Sequence, residues 1–143
     1  MTGSVVHASC HCRNLVMQAT LSRPAHDYAP RACDCDFCRK HGAAWLTDPA
    51  GILRLQQHGG DAAVHYRQGS DQAEFIVCAR CGVLVTATYR SEDRLFAALN
   101  VRAVDGVTDF APEQVAQPRL LSAQDKPLRW QQLWFADVRI EVV

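Results

Sequence analysis

The chain has 143 residues, of which 48% are hydrophobic and 21% are charged, a composition typical of one globular domain spanning residues 1–143. Lys plus Arg equal Asp plus Glu at 15 each, so the charge balance argues against binding to nucleic acid or to an anionic membrane. No apolar stretch reaches the roughly 18 residues of a membrane span. The N-terminal residues lack the pattern of a secretory signal, so we expect a cytoplasmic protein with reduced thiols.

Short segments rich in Val, Leu, Ile, Tyr and Thr are separated by turn residues along the chain. They predict strands at 14–21, 51–57, 62–68, 73–78, 83–89, 95–101 and 134–143. No apolar helical period lasts three turns, so long helices are not expected. Short helical turns are predicted over "DFCRKHG" after Cys35 and over "PLRWQQLW" (127–134). The proline-containing stretch 105–128 is predicted to be an irregular connection. The fold class is therefore mainly β, with cysteine-rich turns.

All seven cysteines fall into three tight clusters, "CHC", "CDCDFC" and "CARCG". An odd number of closely clustered cysteines in a reducing compartment favours metal binding over disulfides. A redox pair is less favoured because the βαβ pattern of thioredoxin-like proteins is absent, and the familiar ferredoxin spacings of iron–sulfur proteins are absent too. Buried, inert thiols are a further alternative. Zinc is the metal that thiolate-only sites most commonly hold.

The two-cysteine clusters each supply half of a tetrahedral four-thiolate site. We infer that Cys10 and Cys12 pair with Cys78 and Cys81. The "CARCG" turn has the pattern of a zinc knuckle, since Gly82 after the second cysteine permits a left-handed backbone. This pairing leaves one separate three-thiolate group: Cys33, Cys35 and Cys38. His41, three residues after the last of these, is the alternative fourth ligand that would close the site, and His7 or His11 could replace a cysteine of the first site.

The motifs "CHC", "CDCDFCRKHGAAW", "CARCG" and "ALNVRAVDGV" (98–107) resemble those of the glutathione-dependent formaldehyde-activating enzyme family, which also includes the centromere protein V domain. They occur in the family's order and span residues 10–107. The chain departs from the pattern at Arg13, where members usually carry glycine.

This resemblance implies a β-rich fold of short antiparallel sheets, shared with a zinc-containing guanine-nucleotide-exchange chaperone, and two zinc ions per chain. A structural zinc would bind Cys10, Cys12, Cys78 and Cys81, and a catalytic zinc would bind Cys33, Cys35 and Cys38. The implied activity is that of a carbon–sulfur lyase, which joins glutathione and formaldehyde into S-hydroxymethylglutathione. The implied partners are therefore a small-molecule thiol and an aldehyde.

A zinc ion with three protein ligands keeps one exchangeable position, where a substrate thiol would lose its proton at neutral pH. Three thiolates weaken zinc as a Lewis acid, so we favour thiol activation over polarisation of the aldehyde. Arg31, Arg39 and Lys40 could offset the anionic site or bind substrate carboxylates.

Other residues and other functions remain open from the sequence. Asn100 and Arg102 alternate along a predicted strand and could face a pocket, and Trp45 could form a pocket wall or belong to the core. Two further functions compete with catalysis: a zinc-stabilised binding module with both metals structural, and a thiol or aldehyde carrier. The sequence does not define the oligomeric state.

Overall fold

Two β-sheets make up most of the protein in the computed structural model, which describes residues 3–143. These residues form eleven strands and two short α-helices. The strands are β1 (Ser4–Ser9), β2 (Leu15–Leu21), β3 (Arg31–Cys33), β4 (Ala44–Leu46), β5 (Ile52–Gln57), β6 (Ala63–Arg67), β7 (Glu74–Cys78), β8 (Leu84–Ser91), β9 (Arg94–Asn100), β10 (Gln114–Ala116) and β11 (Asp137–Val142). The helices are α1 (Asp36–His41) and α2 (Asp125–Leu133), and single 3-10 turns occupy Ala25–Asp27, Val101–Ala103 and Pro118–Leu120.

The smaller sheet has four strands in the order β1-β2-β5-β11, and the larger has seven in the order β10-β3-β4-β9-β8-β7-β6. Neighbouring strands run antiparallel except for two pairs at sheet edges, β11 with β5 and β10 with β3, which run parallel. Two isolated bridges, Ala8 with Val104 and Ala97 with Phe135, link the sheets to segments outside them. The prediction of a mainly β fold with few short helices is confirmed.

Alternation of apolar and polar residues explains how the smaller sheet covers the core. In β2, the apolar side chains of Leu15, Met17, Ala19 and Leu21 are buried, whereas Gln18 between them is exposed. Successive strand residues point to opposite faces, so this spacing places one apolar face of the sheet inward. A second, smaller apolar cluster surrounds the cysteines of "CDCDFC" in the larger sheet.

Each of the seven predicted strands overlaps an observed strand, and the two predicted helical turns overlap α1 and α2. Four strands were not predicted: β1, β3, β4 and β10. Three of these have only three residues, too few for alternation to be visible, and they are strands because they pair with neighbours distant in sequence. The stretch 105–128 is mainly irregular, as predicted, but it includes β10 and the start of α2.

Helices play a small part in this architecture. The longest in residues 3–143 is α2, with nine residues. Within that part of the chain, no helix has the length and apolar character needed to cross a membrane.

A buried carboxylate ties the ends of β2 and β4 together. Asp48 is 3% exposed and accepts hydrogen bonds from the Ser22 amide (2.8 Å), the Ser22 hydroxyl (2.9 Å), the Tyr28 hydroxyl (2.7 Å) and the Ala50 amide (3.1 Å). Burial raises the pKa of Asp48, but these donors outweigh it, and the pKa lies below its usual value. The charged form is therefore the one that stabilises the fold.

We expect Asp48→Asn to lower the free energy of unfolding by about 2 kcal/mol at pH 7, because an amide cannot accept all of these hydrogen bonds. A carboxyl with a depressed pKa stabilises the fold above its unfolded pKa of about 3.9, and this contribution is lost as the pH falls through the folded pKa. Urea unfolding at pH 7 and pH 3 should show a smaller difference between variant and parent at pH 3.

The exposed, unbonded carboxylate of Asp109 provides the matched control. Asp109→Asn should leave the free energy of unfolding within about 0.5 kcal/mol of the parent. Equal effects of the two substitutions at pH 7 would contradict the role assigned to Asp48.

Candidate metal and active site

The four cysteines that the sequence pairs are brought together where the two sheets meet. Cys10 and Cys12 lie in the connection from β1 to β2, Cys78 ends β7, and Cys81 lies in the turn from β7 to β8. Their four sulfur atoms are all within 4.8 Å of one another. The predicted grouping of these cysteines is therefore present in the structure.

The sulfur spacing in this group fits a metal site and does not fit disulfides. The Cys10 and Cys12 sulfurs are 3.7 Å apart, and those of Cys12 and Cys78 are 3.5 Å apart. A tetrahedron with zinc–sulfur bonds of about 2.3 Å has sulfur–sulfur edges of about 3.8 Å, whereas a disulfide bond is about 2.05 Å long. The four thiols can therefore hold a zinc ion.

The "CARCG" turn aims backbone amides at a sulfur, as its sequence predicts. The amides of Arg80 and Cys81 each donate to the Cys78 sulfur at 3.4 Å. The amide of Gly82 donates to the Cys78 carbonyl at 3.0 Å, and Gly82 adopts a φ of +80°. A glycine reaches this left-handed region without steric cost, so the turn can close beneath the sulfurs.

The "CHC" turn reaches the same conformation with a bulkier residue. Arg13 has a φ of +69°, and its amide donates to the Cys10 carbonyl at 3.1 Å. Its guanidinium donates to the Ser9 hydroxyl at 3.3 Å and lies 3.6 Å from the Asp105 carboxylate. The turn therefore requires the conformation that glycine adopts most easily, and the arginine side chain partly offsets the strain through these contacts.

The pKa values of these thiols diverge because their surroundings differ. Burial raises the pKa of Cys10 to about 12. Burial also acts to raise the pKa of Cys81, but hydrogen bonds from the backbone of Cys12 and Val83 and from neighbouring thiols lower it to about 6. Negative charge in the metal-free cluster is therefore easiest to place on Cys81, one of the two half-exposed members.

The second group is built at the junction of β3 and α1. Cys33 ends β3, Cys35 is the residue that caps the N-terminus of α1, and Cys38 lies within α1. The Cys38 amide donates to the Cys35 sulfur at 3.4 Å. The three sulfurs lie within 4.8 Å of one another, so they can share one metal ion. Gly42, with a φ of +63°, ends the helix and returns the chain to β4.

The three thiols of this group concentrate negative charge on one sulfur. Hydrogen bonds from the thiols of Cys33 and Cys38 lower the pKa of Cys35 far below its usual value. Hydrogen bonds with the thiols of Cys33 and Cys35, followed by burial, raise the pKa of Cys38. A thiolate held between two neighbouring thiols is a strong attraction for a soft cation such as zinc.

The histidine alternatives do not join either group. Among residues 3–143, no His, Cys, Asp or Glu supplies a fourth ligand atom within 4.8 Å of all three sulfurs of Cys33, Cys35 and Cys38. The imidazole of His41 instead packs against Phe37, with ring centroids 4.7 Å apart. His7 and His11 are likewise outside the four-cysteine group.

A cavity of about 760 Å³ opens beside the three-cysteine group. All three cysteines line it, and its aromatic walls are formed by Trp45, Phe75, Trp130 and Trp134. Trp45 is 8% exposed and packs against Phe75 with ring centroids 6.1 Å apart, so it belongs both to the core and to the cavity wall. A volume of this order suits a small-molecule ligand.

Of the three cationic residues proposed to offset the anionic cluster, only Arg31 lines the cavity. Lys40 is exposed and does not line it, and Arg39 is exposed and lies 4.0 Å from the Asp36 carboxylate. The cationic part of the cavity is instead supplied largely from the C-terminal part of the chain, by Arg119, Lys126 and Arg129.

Asn100 and Arg102 have structural contacts and do not line this cavity. The Asn100 amide group donates to the Leu84 carbonyl at 2.9 Å and accepts from the amides of Ala44 and Arg102 at 3.4 and 3.2 Å. The Arg102 guanidinium donates to both carboxylate oxygens of Glu113, at 2.6 and 2.7 Å. The expectation that they alternate on one strand is wrong, because β9 ends at Asn100 and a 3-10 turn begins at Val101.

Several residues of the site were not identified from the sequence. Gln68, in the turn after β6, places its side-chain amide 4.0 Å from the Cys35 sulfur. Helix α2 contributes Lys126, Arg129 and Trp130 to the cavity wall. The sequence signal for this helix was "PLRWQQLW", which contains one arginine and two tryptophans. It predicted a helical turn but not that the turn would lie beside the cysteines.

Comparisons with known proteins agree with this geometry. The family described as glutathione-dependent formaldehyde-activating enzyme matches residues 5–119. A crystal structure of a Rhodobacter sphaeroides protein is 27% identical, with a TM-score of 0.57, covering 76% of this chain and 99% of the other. No curated protein matches the chain.

We expect the two cysteine groups to respond differently to loss of one thiol. Cys78→Ser should remove the metal that joins the two sheets and unfold the protein, because metal binding at such a site is coupled to folding. Cys35→Ser should leave a folded protein with about one zinc fewer per chain. Zinc analysis by mass spectrometry and thermal melts followed by circular dichroism would measure both effects. If the two variants were equally folded, the assignment of different roles to the two cysteine groups would be contradicted.

Arg13→Gly should raise the free energy of unfolding of the zinc-loaded protein by about 1 kcal/mol, because it relieves a left-handed backbone that costs a non-glycine residue roughly this amount. Arg13→Ala is the control, since it loses the same side-chain contacts and keeps the strained φ. Urea unfolding should therefore rank glycine above arginine and arginine above alanine. A glycine variant less stable than the alanine variant would overturn this explanation.

Proposed function

Because the chain belongs to the glutathione-dependent formaldehyde-activating enzyme family, we propose that it is a carbon–sulfur lyase that adds a thiol such as glutathione to a small aldehyde such as formaldehyde. The observation that carries this proposal is the three-cysteine group. Its sulfurs line a cavity of about 760 Å³, and residues 3–143 supply no fourth ligand to it.

The two groups have different roles in this proposal. Cys10, Cys12, Cys78 and Cys81 hold a structural zinc with a complete set of four thiolates, which leaves no position for a substrate. Cys33, Cys35 and Cys38 hold the catalytic zinc. The free, clustered cysteines also support a cytoplasmic location, where thiols remain reduced.

The reaction joins the two substrates without an oxidant or reductant. The thiol sulfur forms a bond to the aldehyde carbon, the carbon–oxygen double bond becomes a single bond, and the thiol proton ends on that oxygen. Cys33, Cys35 and Cys38 would hold the zinc ion, which would lower the pKa of the substrate thiol and so supply a thiolate nucleophile at neutral pH.

The protein's own side chains orient the reactants and limit access of water. Trp45 and Phe75 form an apolar wall next to the cysteines, which reduces the dielectric constant around the reacting atoms. The side-chain amide of Gln68 lines the cavity 4.0 Å from the Cys35 sulfur and offers a neutral hydrogen-bond donor to negative charge that develops on the aldehyde oxygen. The low dielectric constant strengthens the hydrogen bond from this donor, which stabilises the charge that moves from the thiolate to the aldehyde oxygen.

We expect the zinc-loaded protein to accelerate the exchange between glutathione plus formaldehyde and their adduct, measured by exchange NMR near equilibrium. Cys35→Ser should reduce the added rate by at least about 100-fold, since loss of one catalytic ligand removes the position at which the thiol is activated. The exposed Arg139, on the other sheet, gives the control: Arg139→Gln should retain the full rate.

The competing interpretations make a different prediction in the same experiment. A binding module or a carrier would bind glutathione without increasing the exchange rate above that of the uncatalysed reaction. Absence of any rate increase for formaldehyde and for several other small aldehydes would therefore overturn the proposed catalysis.

A further inference from the structure

Part of the cavity wall comes from helix α2, which lies outside residues 5–119, the part of the chain that the family matches. Lys126, Arg129 and Trp130 of this helix line the cavity, followed by Trp134. The two tryptophan rings stack with centroids 5.1 Å apart, and Trp130 also packs on Tyr89 at 5.3 Å. These aromatic contacts fix the helix against the larger sheet and so fix the position of its cationic side chains.

Two arginines, Arg31 and Arg129, line this cavity together with the three cysteines. Arg31 lies two residues before Cys33 on β3, so the two side chains point to the same face of the strand, with Cα atoms about 7 Å apart. Arg129 of helix α2 lines the same cavity, so a ligand there is within reach of both arginine side chains. Both guanidiniums remain charged at neutral pH, so together they favour an anion in the cavity.

Neighbouring carboxylates do not neutralise these cations. In the described part of the chain, Arg31, Lys126 and Arg129 form no side-chain hydrogen bond and no ion pair, whereas Arg119 lies 3.3 Å from the Asp34 carboxylate. Asp36 is the acidic residue that lines the cavity, and its side chain is 93% exposed and closest to Arg39 at 4.0 Å. The cavity therefore carries unpaired positive charge.

The negative charge of a zinc-loaded cysteine group would balance only part of the positive charge in the cavity. Three thiolates and one Zn²⁺ carry a net charge of −1, which one cation balances, and the remaining cations face the open cavity. Paired guanidiniums suit a carboxylate particularly well, because each can donate two parallel hydrogen bonds to its oxygens.

We propose that Arg129 and Arg31 determine substrate specificity by binding a carboxylate at the end of the thiol substrate remote from its sulfur. This inference rests on the proposed function, since it assumes that the thiol enters the three-cysteine site. Helix α2 thereby selects carboxylate-bearing thiols over neutral ones. The stacked Trp130 and Trp134 contact the apolar part of the chain between the two ends of the substrate.

The test compares binding of glutathione with binding of its diethyl ester, in which both carboxylates are neutral, by isothermal titration calorimetry of the zinc-loaded protein without aldehyde. The parent should bind glutathione about tenfold more tightly than the ester, which corresponds to about 1.4 kcal/mol. Arg129→Gln should reduce this ratio at least about threefold, with Arg31 still able to bind the carboxylate, and leave the ester's dissociation constant within about twofold of the parent's. Arg129→Lys should retain part of the preference, because it keeps the charge but not the bidentate geometry.

Arg129 is exposed, so its replacement should not disturb folding, and Arg139→Gln controls for the loss of one positive charge elsewhere. Three results would overturn the inference. The Arg129→Gln and Arg139→Gln variants could show the same preference for glutathione over the ester, Arg129→Gln could weaken the binding of both compounds equally, or neither compound could bind to the parent. The proposed catalysis fails separately, in the NMR experiment, because a protein that selects glutathione through Arg129 without accelerating adduct exchange would be a carrier.

Discussion

Four sulfur atoms within 4.8 Å of one another join the two sheets of this protein, and most other features depend on that contact. Ionised thiolates at such distances repel strongly: two unit charges 4 Å apart at an effective dielectric constant of about 20 repel by about 4 kcal/mol. The arrangement is therefore favourable only with protons or a cation among the sulfurs. The turns that carry the cysteines accept left-handed backbones at Arg13 and Gly82 to achieve it.

The second group has one thiol fewer and a different environment. The four-cysteine group lies between two turns that enclose it with backbone amides, whereas the three-cysteine group borders a cavity lined by aromatic and cationic side chains. One chain thus combines a site with a complete ligand set and a site that residues 3–143 leave incomplete. The proposed chemistry depends on this difference, and the proposed specificity depends on the helix that covers the second site.

The cysteine clusters could be predicted from sequence because local spacing places the thiols of "CARCG" and of "CDCDFC" close together. The pairing of "CHC" with "CARCG" followed from the four ligands that a tetrahedral site requires. The longer strands were predictable from alternation, as in β2. The cavity was not predictable from sequence, because its walls combine Trp45, Gln68 and helix α2, which only long-range packing brings together. Asn100 illustrates the same limit, since its hydrogen bonds to Leu84 and Ala44 depend on sheet order.

The proposed function requires one complete metal site and one site with an exchangeable position. Zinc X-ray absorption spectroscopy of the fully loaded protein measures it directly, as the average number of sulfur ligands per zinc. Two such sites predict an average of about 3.5, rising to about 4 when glutathione is added. An average that glutathione leaves unchanged would contradict the account.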